Sequence, residues 1–134
     1  MEDTNRFVLK IIAPDRVIYE DEVDMVEFNT TEGEVGIYRN HIPMTMIISP
    51  GILTITKGNE TKSAALHAGF TEILQDSVTI LAEVIEWPEE IDLMRAQAAQ
   101  ERAQERIHKN GSDIDLTRAE AALKRALTRI SMVK

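Results

Sequence analysis

The 134-residue sequence contains no cysteine, which excludes disulfides, thiol nucleophiles and cysteine-ligated metal centres. Aromatic residues make up only 4% of the chain. No apolar run approaches the roughly 18 residues that a membrane-spanning helix needs. The first residues lack the basic-then-apolar pattern of a signal peptide. These absences predict a protein inside the cell that does not insert into lipid, although attachment to a membrane complex is compatible with them.

The motifs of common catalytic and cofactor sites are also missing. There is no Gly-x-x-x-x-Gly-Lys phosphate loop, no Gly-x-Gly-x-x-Gly and no Gly-x-Ser-x-Gly nucleophile elbow. The three histidines, His41, His67 and His108, are not spaced with one another or with a carboxylate as a zinc site would require. His41 and His67 are therefore interpreted as structural. The sequence predicts no catalytic residue and no metal site.

Charge is distributed unevenly along the chain. Residues 1–87 hold 15 acidic and 6 basic residues, a net charge of −9, whereas residues 88–134 hold 8 and 9, a net charge of +1. The acidic front argues against nucleic acid as a partner. The basic end is able to hold a compact anion.

Residues 1–87 have the pattern of an all-β domain. Short apolar or alternating runs, separated by frequent turns, are typical of an antiparallel β-sandwich. The turn signals include Thr31–Gly36 and the predicted hairpin turn Lys57–Glu60, and Met44 and Met46 are predicted to be core residues. The predicted strands lie in 7–12, 17–28, 52–56, 63–74 and 77–84.

Residues 88–134 have the pattern of a two-helix antiparallel hairpin. Pro88 suits a first helical turn, and residues 89–108 lack glycine and proline and are rich in strong helix formers. Gly111 lies in the predicted break, and a second helix is predicted over 113–133. The fold class is therefore α+β, with a β-sandwich over 1–87 and a helical hairpin over 88–134.

The two predicted helices are near copies of each other at an offset of 23 residues. Eleven of the 17 pairs that begin with Ile91/Ile114 are identical. Asp92 and Asp115 occupy positions typical of an N-cap. Each helix also carries a stripe of small residues that allows close approach of the two helices, namely Ala96, Ala99 and Ala103 on the first and Ala119, Ala122 and Ala126 on the second.

Each helix repeats the same spacing of three arginines. Successive members are seven and four residues apart, which places them on one helical face. The two sets are Arg95, Arg102 and Arg106, and Arg118, Arg125 and Arg129. Two such faces turned together would repel unless an anion with several oxygens, such as a nucleoside triphosphate, neutralised them through forked hydrogen bonds. The alternative is a solvated face that is ion-paired with Glu101, Glu105 and Glu120.

The chain resembles the epsilon subunits of bacterial rotary ATP synthases over nearly its whole length. The motifs that carry the resemblance occur in family order before the hairpin: Glu34-Val35-Gly36-Ile37, His41-Ile42-Pro43-Met44, Pro50-Gly51-Ile52-Leu53 and Ala68-Gly69-Phe70-Thr71-Glu72. One departure is Asn40-His41-Ile42-Pro43-Met44, where the family often has Gly-His-x-Pro-Leu.

The resemblance implies a non-catalytic subunit on the cytoplasmic face of the cell membrane, peripheral and part of the synthase. Its implied partners are the gamma shaft, the membrane-embedded c-ring and the alpha and beta subunits of the catalytic head. The sandwich would dock shaft to ring. The hairpin would either fold down on the sandwich or extend along the shaft, and the extended form would inhibit ATP hydrolysis.

A subset of the family binds ATP through Ile/Leu-Asp-x-x-Arg-Ala, and Ile91-Asp92-Leu93-Met94-Arg95-Ala96 matches this motif. By analogy, the resemblance places adenine and ribose near Glu86, Ile91, Asp92 and Ala96, with Arg95 beside the base or sugar. It assigns the phosphates to Arg102, Arg125 and Arg129. ATP is thus the implied regulatory ligand, and the need for Mg²⁺ is open. Two hypotheses remain, an ATP-gated regulator and a purely structural coupling protein.

Overall fold

The computed structural model describes residues 5–109 and 113–133 and confirms the predicted fold class, a β-sheet domain followed by two helices. The strands are β1 (Phe7–Ala13), β2 (Arg16–Val23), β3 (Met25–Thr30), β4 (Gly33–Ile37), β5 (Met44–Ile47), β6 (Gly51–Lys57), β7 (Glu60–Ile73) and β8 (Ser77–Glu86). A 3-10 helix spans Pro88–Glu90, and the helices are α1 (Leu93–His108) and α2 (Asp113–Val133).

The strands form one hydrogen-bonded path in the order β2-β1-β8-β7-β6-β3-β4, with β5 added to β7. The long strand β7 pairs with β6 through its first half and with β5 through its second half, and the register shifts between Leu66 and Gly69. Gly69 has φ +137°, and a Cβ at this position would lie 2.0 Å from the carbonyl oxygen of Leu81. Only glycine therefore fits where the strand bends.

Neighbouring strands are antiparallel as predicted, with one exception. β1 and β8 run parallel, with Leu9 opposite Val78 and Ile11 opposite Ile80. The first and last strands of the domain are thus direct neighbours, and β8 is enclosed between β1 and β7.

The inward faces of the strands enclose one apolar core. The alternation of buried and exposed residues along β1 and β6 is the pattern expected of strands with one face inside. The largest fully buried side chains come from strands on both sides of the bend, and they include Phe28, Leu9, Ile11, Ile37, Leu53, Ile55, Leu66, Ile73 and Ile80. This core packs the strands of the domain against one another.

Two sequence predictions in this domain are wrong in part. The segment Thr31–Gly36 was expected to be a turn, but only its first two residues turn, and strand β4 begins at Gly33. Its pairing with β3 outweighs the turn-forming composition. Met44 was expected in the core, yet it is 42% exposed, whereas Met46 is buried. Ile47 is exposed because it follows Met46 directly and therefore lies on the opposite face of β5.

The helices form the predicted hairpin, and the break expected at Gly111 lies outside the described residues. The N-terminal part of α1 lies beside the C-terminal part of α2, since Arg95 and Arg129 line one cleft. Four of the six predicted alanines are buried where the helices meet, and Ala99 and Ala122 are half-buried. The buried ones are Ala96, Ala103, Ala119 and Ala126.

The two predicted N-caps have different outcomes. The carboxylate of Asp92 accepts a hydrogen bond from the backbone N–H of Arg95 at 3.1 Å and caps α1, as predicted. Asp115 is not an N-cap, because α2 begins at Asp113 and Asp115 lies within its first turn. The aspartate of the shared sequence Ile-Asp-Leu-x-Arg-Ala thus has different roles in the two helices.

The hairpin is folded down on the sheet domain, with α2 against β6 and β7. Among the described residues, two polar contacts link them: the Lys124 ammonium donates to the Ser49 hydroxyl at 2.8 Å, and the Arg129 guanidinium donates to Glu86. Among residues 5–109 and 113–133, no helix combines the length and apolar character needed to cross a membrane.

Candidate functional site

The proximal cleft lies where the hairpin meets the sheet domain. Its volume is ≈ 310 Å³, at the lower end of the roughly 300–1,000 Å³ typical of small-molecule sites. It is lined by Glu86, Glu90, Asp92, Arg95, Ala96, Ala99, Arg102 and Arg129. Residues from the end of β8, the 3-10 helix and both α-helices therefore meet around one space.

The wall of the proximal cleft at the end of β8 is a charged network. The Oε1 atom of Glu86 accepts a hydrogen bond from Nε of Arg129 at 2.6 Å and lies 3.0 Å from Nε2 of His67. The His67 side chain is fully buried, and the side chains of Glu86 and Arg129 are each 27% exposed. Charge-assisted bonds of this length are the strong ones in proteins. This network joins α2 to the sheet domain.

Burial and hydrogen bonding set the protonation of this network. Burial acts to raise the pKa of Glu86, but the hydrogen bonds from Arg129 and His67 outweigh it, so the pKa lies below its ordinary value. Burial lowers the pKa of His67, the hydrogen bond to Glu86 opposes that shift, and Arg129 reinforces it, so the pKa lies below 6.5. The expected state at neutral pH is an ionised Glu86 beside a neutral His67.

The wall formed by α1 presents two cations that form no ion pair with the described residues. Arg95 and Arg102 are exposed, and within the described part of the chain no carboxylate lies in ion-pair distance of either guanidinium. The ion pairs with Glu101, Glu105 and Glu120 that the alternative interpretation requires are not formed there. Arg129 keeps its Nη donors, because only Nε contacts Glu86.

Six of the eight residues predicted for the site line the proximal cleft: Glu86, Asp92, Arg95, Ala96, Arg102 and Arg129. The other two do not. Ile91 is half-buried at the C-terminal end of the 3-10 helix. Arg125 lies one turn before Arg129, near enough to His67 to act on its pKa. Ligand contacts for all eight stay predictions.

Three residues of this site were not predicted from the sequence. Glu90 lines the cleft, accepts a hydrogen bond from the backbone N–H of Trp87 and pairs with Arg16 at 3.6 Å. In the sequence, a glutamate two residues after Pro88 is typical of the start of a helix, where its side chain caps the backbone. This pattern therefore does not indicate a binding site. Ala99 belongs to the alanine stripe. His67 reaches Glu86 only through the register of β7 and β8.

No metal cage is visible in 5–109 and 113–133, where no three His, Asp or Glu side chains are grouped as metal ligands.

Comparison with known proteins gives the chain a family. Residues 6–88 match the β-sandwich domain of the ATP synthase delta/epsilon chain, and residues 89–134 match the long α-helix domain of the same chain. The chain belongs to the ATP synthase delta/epsilon family. The family members that resemble it in sequence are bacterial epsilon chains, and as one of them it is a non-catalytic subunit of ATP synthase.

Two relatives illustrate the sequence similarity. The ATP synthase epsilon chain of Caldanaerobacter subterraneus subsp. tengcongensis is 46% identical over 107 residues, which cover 79% of this chain and 78% of that one. The epsilon chain of Alkalihalophilus pseudofirmus is 43% identical over 105 residues, which cover 78% and 79%. The predicted family resemblance is therefore confirmed.

Two solved structures share the fold of this delta/epsilon-family chain. One is a chain in the OSCP/F1/c-ring assembly of Euglena gracilis mitochondrial ATP synthase, with a TM-score of 0.85 at 21% identity, covering 100% of this chain and 85% of that chain. The other is a chain in the central stalk/c-ring of the Tetrahymena thermophila enzyme, with a TM-score of 0.64 at 12% identity, covering 96% of each. At these identities the likeness concerns the fold alone.

Proposed function

We propose that this subunit couples the central stalk of a proton-translocating ATP synthase to the membrane ring and regulates the enzyme through its hairpin. In the folded-down form, the proximal cleft binds ATP. In an extended form, the hairpin inhibits ATP hydrolysis by the catalytic head. The observation that carries the proposal is the proximal cleft itself, where Arg95 and Arg102, which form no ion pair within 5–109 and 113–133, line one space of ≈ 310 Å³ together with Glu86 and Asp92.

The coupling role is supported by an exposed apolar surface on the sheet domain. Ile47 and Phe70 are opposite each other on β5 and β7 and are 62% and 44% exposed. Tyr38, Ile42 and Leu74 lie exposed in the adjoining segments. Contiguous apolar surface of this kind marks a protein interface. We assign it to the gamma subunit and the c-ring, the partners implied by family membership, at the cytoplasmic face of the membrane.

The ATP-binding role is supported by the chemistry of the two cleft walls. Arg102 and the Nη groups of Arg129 supply forked donors for phosphate oxygens. The second oxygen of Glu86 and the small surface of Ala96 also line the cleft, and we assign them to a sugar hydroxyl and a flat base. Arg125 lies one helical turn from Arg129, and we assign it to the phosphates on the condition that its side chain moves toward the cleft.

The inhibitory role follows from the basic character of α2. Lys124, Arg125 and Arg129 are turned toward the sheet domain or the cleft when the hairpin is down, and a detached hairpin would offer them to acidic surface on the alpha and beta subunits. ATP would then release inhibition, because a ligand that binds one form shifts the population toward it. The size of that shift is limited by the differential affinity of ATP for the two forms.

One observation favours a second candidate, a purely structural coupling subunit. The Glu86–Arg129 bond and the Lys124–Ser49 bond close the hairpin with protein groups alone. If they suffice, the closed form needs no nucleotide. Calorimetric titration of the whole chain with ATP, ADP, GTP and sodium triphosphate separates the two candidates, since only an ATP-gated regulator binds ATP more tightly than triphosphate.

The regulatory proposal is tested in the assembled synthase. The double variant Asp92→Ala/Arg95→Ala removes groups from the proximal cleft and leaves the basic face of α2 intact. We expect this enzyme to stay inhibited at ATP concentrations that activate the parent, and an enzyme whose subunit lacks residues 91–134 to lose inhibition. Activation of the double variant at the parent's ATP concentration would show that the cleft is not the switch.

A further inference from the structure

The internal repeat gives the hairpin an approximate twofold symmetry. In an antiparallel pair of helices, residues that are equivalent in sequence lie at opposite ends of the pair. The buried alanines follow this relation, because Ala96 and Ala119 are one repeat pair, Ala103 and Ala126 are another, and all four are 0–2% exposed. A feature that α1 helps to build near the sheet domain therefore has a counterpart at the tip of the hairpin.

That counterpart is present as a second cleft of ≈ 380 Å³, the distal cleft, which is lined by Arg106, Lys109, Asp115 and Arg118. Three of its four lining residues are repeat equivalents of residues in the proximal cleft: Arg118 of Arg95, Asp115 of Asp92 and Arg106 of Arg129. Lys109, the C-cap of α1, adds a further cation.

The cations of the distal cleft are only partly explained by helix electrostatics. Arg106 and Lys109 lie at the C-terminal end of α1, where the helix dipole favours positive charge. Arg118 lies in the second turn of α2, near a helix end that favours negative charge. Asp115 lines the same cleft, and among the side chains described in 5–109 and 115–133 no carboxylate lies within ion-pair distance of any of the three cations. An external anion would resolve this imbalance.

We propose that the distal cleft binds an oligophosphate group, such as a pyrophosphate or triphosphate chain, without reading a base or sugar. Two guanidinium groups and an ammonium around one space match a compact ligand with several phosphate oxygens. The position that corresponds to Glu86 at an offset of 23 residues is Lys109, so the distal cleft has a cation where the proximal cleft has a carboxylate. The proposal goes beyond ATP binding in the proximal cleft and does not depend on it.

The test is a titration of the isotope-labelled whole chain with inorganic triphosphate at low ionic strength, followed through backbone amide chemical shifts. Amides of 115–119 report on the distal cleft and amides of 92–96 on the proximal one. The variant Arg106→Ala/Arg118→Ala should weaken the distal response by roughly 10- to 100-fold and spare the proximal one. The repeat-equivalent variant Arg129→Ala/Arg95→Ala is the matched control and should spare the distal response.

Further titrations fix the chemistry of the ligand. ATP and triphosphate should affect the distal amides with similar affinity, and added salt should weaken that response because the site is exposed. Arg118→Lys, which keeps the charge and loses the fork, should have intermediate affinity. The proposal is overturned if triphosphate leaves the distal amides unchanged, if both double variants weaken the distal response equally, or if only a glutamate-rich peptide shifts these amides.

Discussion

The sheet domain and the hairpin are stabilised in contrasting ways. The sheet domain encloses large apolar side chains such as Phe28, Ile11 and Leu53, which are at most 1% exposed. The two helices meet over four buried alanines, and among the described residues two hydrogen bonds link α2 to the sheet domain. The comparison indicates that large buried side chains hold the sheet domain together, whereas the contact between the helices depends on small ones.

The largest effect should come from the sheet core. Phe28→Ala removes a side chain that is 1% exposed and should lower the free energy of unfolding by about 3–5 kcal/mol, measured by urea denaturation. A chain truncated after Glu90 should keep the cooperative transition of the sheet domain. If truncation abolished that transition, the two regions would be one cooperative unit and the contrast would be wrong.

ATP binding in the proximal cleft should depend on the arginines assigned to that cleft and not on the total positive charge of the hairpin. Arg102→Ala and Arg125→Ala should each weaken ATP binding by about 1.5–3 kcal/mol if the side chain makes charged hydrogen bonds to phosphate, or roughly 10- to 100-fold. Arg106→Ala removes the same charge outside the proximal cleft and should have a much smaller effect on the affinity of that cleft for ATP. Titration with ATP, followed through the amides of 92–96, ranks the three, and a reversed order would mean that the wrong arginines have been assigned.

A larger side chain in the alanine interface should disfavour closure of the hairpin without changing the stability of the sheet domain. Ala103 is fully buried between the helices, and Ala103→Leu should disfavour the closed hairpin by about 1–3 kcal/mol through overpacking. We expect a larger hydrodynamic radius and an unchanged unfolding midpoint for the sheet domain. Gln104→Leu, at the adjacent exposed position, is the control and should leave the radius unchanged.

The junction between the regions should respond to pH. The pKa of His67 lies below 6.5 in the folded chain, chiefly because of burial, so the unfolded chain takes up its proton first as the pH falls. Stability is therefore complete above about pH 6.5 and declines below it, by at most about 1.4 kcal/mol per pH unit. Glu86 adds no loss of stability between pH 8 and pH 5, since the hydrogen bonds from Arg129 and His67 hold its pKa below the ordinary value.

Urea denaturation between pH 8 and pH 5 measures this slope. His67→Gln should flatten it, whereas His108→Gln, at an exposed position, should not. An unchanged slope in His67→Gln would mean that the junction does not titrate as described.

The smallest expected effect is a difference in helix stability between equivalent substitutions in the two copies of the repeat. Asp92→Ala removes the cap of α1 and should reduce helix stability by about 1 kcal/mol, seen as lower helical content by circular dichroism. Asp115→Ala should reduce it less, because Asp115 is not a cap. Equal losses would indicate that α2 is capped in solution as the repeat suggested.

Periodicity and composition were sufficient for the fold class, the C-terminal limit of α1, the limits of α2 and the faces that carry the arginines, whereas α1 begins at Leu93 and not in the first turn predicted after Pro88. They could not separate Arg125 from Arg129, which share one face a turn apart, because the contact with Glu86 depends on how α2 docks. The pairing of His67 with Glu86 depends on a strand register that includes irregular steps. β4 and Met44 were misjudged because pairing partners, and not local composition, decide strand formation and exposure at a sheet edge.

The position of β8 also determines how the molecule bears mechanical load. This strand leads through the 3-10 helix into the hairpin and is held on one side by β7 and, over its first half, on the other by β1. Tension on the hairpin along the strand axis would load many hydrogen bonds together in shear, whereas the same tension on an edge strand would break them one by one. The pairing of β8 on both sides therefore protects the sheet domain against force applied through the hairpin.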